Sequence, residues 1–178
     1  MNETKSNIFL SEVSKNLSDK ANHILKIKDQ ISVLSQSLSF FIQGTNYCDE
    51  SSVVIDIAKE NLIICANGCL NTSIMLNQNN DLKIVFDNYK KNIINPLHNA
   101  MSILIVTLDA LNYNVDVITE NDNLQAEKRE KYLTMIGSNS TMIDSTWDML
   151  NEQILEPLYE DFNKLEKVIN EELVLETN

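Results

Sequence analysis

The chain has 178 residues with only three glycines, two prolines and 6% aromatics, and its net charge is −12. That length suits one domain with a single core, and so few turn formers exclude a sandwich or barrel, which would need a turn signal about every 8–12 residues. The acid excess excludes nucleic-acid binding through a basic face and disfavours docking on an anionic membrane surface.

The charge is unevenly placed. Residues 1–91 carry nine Lys and ten Asp/Glu, whereas residues 92–178 carry four Lys, one Arg and sixteen Asp/Glu. A basic protein partner for the C-terminal half is the natural expectation. The N-terminal stretch "MNETKSNIFLSEV" lacks a basic segment followed by an apolar run, so a cytoplasmic location is expected. Cys48, Cys65 and Cys69 then read as reduced thiols.

From Leu10 the heptad a and d positions read Leu10, Val13, Leu17, Lys20, Ile24, Ile27, Ile31, Leu34, Leu38 and Phe41. Lys20 is the one polar exception. One apolar seam therefore predicts a long first helix over about residues 6–43, ended by Gly44 in "GTNYCDESS". Ser51 or Ser52 is the expected N-cap of the next helix. In that segment, Ile55, Ala58, Leu62, Cys65, Cys69 and Leu76 share one helical face. Asn67-Gly68 is also the strongest two-residue hairpin signal, so a small β-hairpin stands as the alternative there.

"NQNND" at 77–81 predicts a turn, followed by a helix carrying Leu82, Phe86, Tyr89, Ile93, Leu97, Met101, Leu104, Leu108 and Leu111 through Pro96. Asn95-Pro96 reads as an N-cap and first helical residue, hence a fresh helix start. "TENDN" at 119–123 predicts a softer break, and a charged helix is expected over Leu124–Ile136. "GSNS" at 137–140 predicts a further break, with Gly137 past one helix end and Ser140 capping the last helix. That last helix contains Pro157, where a kink is expected.

A shift of 61 residues lays Phe86 over Trp147, Tyr89 over Leu150, Ile93 over Ile154, Pro96 over Pro157 and Leu104 over Leu165. The matched prolines suggest two tandem helical hairpins, about 51–111 and 112–172. The expected fold is all-α: one domain, an elongated antiparallel bundle of four to five long helices. The first helix, at roughly 36 residues, outreaches the next two segments, so a second copy is expected to cover its exposed end.

No Gly-rich phosphate loop, GxSxG, CxxC or Glu-x-x-His occurs, so no catalytic residue, cofactor or metal site is expected. Glu152, Glu156 and Glu160 recur every four residues with Asp161 alongside. Like charges at that spacing cost a helix about 0.2–0.5 kcal/mol per pair, so an acidic ridge awaiting a Lys/Arg-rich partner is the favoured site. The favoured function is a non-catalytic protein-binding module of the inhibitor, immunity or chaperone type. Two alternatives stand beside it. One is membrane activity through the uncharged runs 61–80, around Asn67-Gly68, and 92–108; the other is a ligand sensor or enzyme with a pocket near Cys65 and His98.

Overall fold

The computed structural model describes the backbone of residues 3–44, 51–78 and 80–176, with side chains over 8–39, 54–78 and 80–171. Cys48 lies outside these residues. Four long helices carry the chain: α1 (Glu3–Gly44), α2 (Ser51–Asn77), α3 (Leu82–Thr119) and α4 (residues 126–176). No strand occurs among the described residues. Each helix packs against the next, and α4 returns to α1, so the helices form a four-membered ring in up-down-up-down order.

The α1 seam is the backbone of the core. Val13, Leu17, Ala21, Ile24, Ile27, Ile31, Leu34 and Leu38 are all essentially inaccessible to solvent. From Val13 to Leu38 the chain's own helices cover the seam. The ends of α1, where a second copy is expected, lie outside the residues whose side chains are described. Polar contacts pin the register of α1 on α2. Near one end Ser14 and Ser18 hydrogen-bond Ser73 Oγ at 2.8 and 3.0 Å, and further along Ser35 donates to Asp56 at 3.1 Å.

Two breaks fall where the composition places them. Asp81 caps α3 by accepting from the Lys83 amide at 2.8 Å, and residues 120–125 turn the chain into α4, braced by Arg129 donating to the Asn121 carbonyl at 2.6 Å. The break expected at 137–140 does not exist. The α-helix of Ala126–Leu150 runs straight through Gly137 and Ser140, because Ile136, Asn139, Ile143, Thr146 and Leu150 continue to face the core at helical spacing. Burial along the whole face outweighs the cost of one exposed glycine, about 1 kcal/mol. Residues 112–172 therefore form no second hairpin. What the two 61-residue segments have in common is more local.

Both prolines sit just after a π-helical turn, Lys90–Ile94 before Pro96 and Asn151–Leu155 before Pro157. Neither begins a new helix. In each case the amide of the preceding residue reaches back five residues, Asn95 to the Lys90 carbonyl and Glu156 to the Asn151 carbonyl. The wider turn relieves the clash between the proline ring and the carbonyl four residues back, and α3 and α4 continue. Proline still offers that carbonyl no N–H, so Asn92 and Gln153 must look elsewhere.

They find different partners. Gly68, in the middle of α2, lies so close to the Asn92 carbonyl that a methyl group on Gly68 would overlap it. Backbone meets backbone here, with room only for weak Cα–H···O contact. The Asn67-Gly68 hairpin alternative is thereby replaced by a helix whose glycine is required for close approach. Beside it runs a polar chain. Asn92 donates to Asn88 at 2.6 Å, Asn88 to Thr72 at 2.7 Å, and Thr72 to the Gly68 carbonyl at 2.8 Å. The Gln153 carbonyl instead accepts from the Lys20 ammonium at 2.5 Å. That contact accounts for the one polar residue in the α1 heptad pattern.

Candidate functional site

On the helix α4 the outward face carries Asp144, Asp148, Glu152, Glu156 and Glu160, all exposed and each four residues from the next. The expected ridge is therefore longer than its three glutamates. Asp144 and Asp148 follow the same spacing in the sequence and could have been read there. Among the described residues no ion pair involves any of the five, and the nearest internal partner is Asn151, 3.4 Å from Glu156.

Asp161 does not belong to the ridge. One residue beyond Glu160 turns about 100° around the helix, which carries its carboxylate inward, where only 11% of the side chain is exposed. Asn16 donates to it at 3.4 Å and Lys164 stands 3.9 Å away. Burial pushes its titration above the usual carboxylate range, Glu160 adds to the rise, and Asn16, Lys164 and Lys20 act against it. Close by, the buried Tyr89 hydroxyl donates to the Leu158 carbonyl at 2.9 Å, and Phe86 stacks on Phe162 with centroids 4.4 Å apart. Burial, with Asp161 nearby, holds the Tyr89 phenol protonated far above its ordinary range.

Trp147 lies one turn before the glutamates, half-buried between α3 and α4. Ile105, Leu108, Ile143 and Trp147 form the floor of a groove of about 230 Å³, and Asp144 and Asp148 form its rim. The Trp147 indole N–H is buried and has no acceptor among the described residues. Sequence reasoning could not find this groove, because two of its floor residues come from the neighbouring helix.

Two other features complete the survey. A larger groove of about 450 Å³ between α1 and α4 is lined by Val33, Met142, Met149, Gln30 and Ser/Thr side chains, with no titratable group among them. The outer face of α2 exposes Ile57, Ile63, Ile64, Leu70 and Ile74. Among the described residues, one helix, α3, is long and apolar enough to cross a membrane by length and composition, with a window of mean hydropathy 1.4 that is 28% buried.

The residues considered for chemistry are not gathered into a site. Cys65 and Cys69 are fully buried, and their contact with each other and their burial raise the Cys65 thiol well above its ordinary range. His98 is on the surface, where its Nε2 pairs with the Tyr159 hydroxyl at 2.8 Å. No group of three or more His, Cys, Asp or Glu suited to a metal ion occurs among the described residues. Comparison with known proteins matches no family model, no curated protein and no solved structure.

Proposed function

We propose that this protein is a non-catalytic binding module whose α4 face engages a basic protein partner. The observation behind this reading is the row of five exposed carboxylates that no cation pairs with among the described residues. Four successive like-charge pairs at about 0.2–0.5 kcal/mol each burden α4 by roughly 1–2 kcal/mol in isolation. A cationic partner would remove that repulsion and be steered to the site by the same field. The test compares proteins retained by the wild type with those retained by the Glu152→Gln/Glu156→Gln/Glu160→Gln variant. The reading requires a partner that is held at low salt, released at high salt and lost with the variant. Identical retention by both proteins would sink it.

A second reading, membrane activity, is favoured by the length and hydropathy of α3. The packing of α2 on α3 argues against it. Gly68 stands opposite Asn92, so the uncharged runs 61–80 and 92–108 overlap over only part of their length. The rest of the α2 run faces the stretch of α3 bearing Lys83, Asp87, Lys90 and Lys91. Inserting both helices together would carry those charges into hydrocarbon, at several kcal/mol each. Dye-loaded anionic and neutral liposomes should stay intact at micromolar protein, and leakage would favour this second reading instead.

A further inference from the structure

We infer that the groove over Trp147 is the seat of a basic amphipathic helix from the partner, which inserts one apolar side chain between α3 and α4 and lays its Lys or Arg residues along the α4 carboxylates. The inference rests on the proposed protein-binding function and narrows it to one place and one kind of ligand.

Size is the first argument. Small-molecule sites commonly enclose about 300–1,000 Å³, and this groove holds about 230 Å³. That is room for a single inserted side chain. Its floor of Ile105, Leu108, Ile143 and Trp147 is apolar, while Asp144 and Asp148 stand on the rim. Such a combination of an apolar slot and fixed charge selects a leucine- or phenylalanine-like anchor flanked by cations.

The second argument is reach. From Asp144 to Glu160 the ridge rises about 24 Å at 1.5 Å per residue, which equals some four turns of a partner helix. Exposed Asp109 follows Leu108 directly on α3 and adds negative charge near the groove. A second copy of this chain is a poor occupant, because its own C-terminal half carries sixteen Asp/Glu against five Lys/Arg.

Trp147 is the sole tryptophan, so its emission reports the groove directly. The probe is a synthetic helical peptide of about 18 residues with leucines at 3/4 spacing and lysines elsewhere. A peptide of the same composition in scrambled order serves as control. Saturable change in Trp147 emission is expected with the patterned peptide only, weakened about tenfold by raising salt to about 0.3 M. Ile105→Lys, at a position already 47% exposed, should also weaken binding about tenfold without loss of helical circular dichroism. If calorimetry shows binding that the triple Glu→Gln variant weakens, while Trp147 emission and Ile105→Lys have no effect, the groove is wrong and the ridge alone is the site. Absence of binding by either peptide at millimolar concentration overturns both readings.

Discussion

Pro96 and Pro157 present the bundle with the same problem in two helices, and it is solved in two ways. At Pro96 the stranded Asn92 carbonyl is turned toward a neighbouring helix in the interior, where no water and no ammonium can be accommodated cheaply. The bundle closes in with bare backbone, and the requirement falls on the smallest residue, Gly68. At Pro157 the Gln153 carbonyl lies near the surface, and the long side chain of Lys20 reaches it from α1. The difference teaches that a buried defect dictates shape, whereas a peripheral one can be met by a flexible charge.

Substitutions can break that comparison, beginning with the most severe. Gly68→Ala forces a methyl group into the Asn92 carbonyl. The two helices must separate, and a loss of about 2 kcal/mol is expected in chemical denaturation, despite alanine being the better helix former. Gly137→Ala is the matched control. That glycine is exposed in mid-helix with open space around it, so the same change should stabilise by about 1 kcal/mol. Opposite signs for the two glycines would support the close approach; equal signs would refute it.

Asp161 sharpens the picture beyond Pro157. Its folded titration lies above the unfolded value, so the carboxylate is disfavoured in the fold at neutral pH. Its contribution to stability improves as pH falls through the folded pKa and is unfavourable above it. Asp161→Asn should therefore raise stability at pH 7, and the gain should vanish in acid, as read from denaturation midpoints across pH. The smallest effect belongs to Lys20→Met, which keeps the aliphatic stem and removes the ammonium. A loss of about 0.5–1 kcal/mol is expected, since the bond is exposed and easily replaced by water.

How much of this was legible in the sequence depends on how far apart the cooperating residues lie. The α1 seam could be read residue by residue, because a heptad repeat is a local signal and Val13 to Leu38 obey it. Asn67-Gly68 was ambiguous for a physical reason. The dipeptide advertises freedom at positive φ, but the bundle uses a different property of glycine, its missing Cβ, against a carbonyl 24 residues away. The shared prolines pointed to a common local structure without revealing that it is a π turn. "GSNS" misled because Gly and Ser weaken a helix only when tertiary burial does not hold it. At the candidate site the four-residue spacing exposed the ridge, while the inward turn of Asp161 and the α3 side of the Trp147 groove depend on packing.

The order in which the helices neighbour one another has a kinetic consequence. Helices adjacent in the chain are adjacent in space, so α1, α2 and α3 can associate through short loop closures, and a bundle of this kind folds in microseconds to milliseconds. Only α4 against α1 spans the chain, as in the 133-residue separation of Lys20 from Gln153. The fastest route assembles the first three helices and adds the fourth last. Disruption at Gly68 should then slow refolding, whereas removal of the Lys20 ammonium should leave refolding unchanged and speed unfolding. The most acidic helix is thus the last to close and the first to come away.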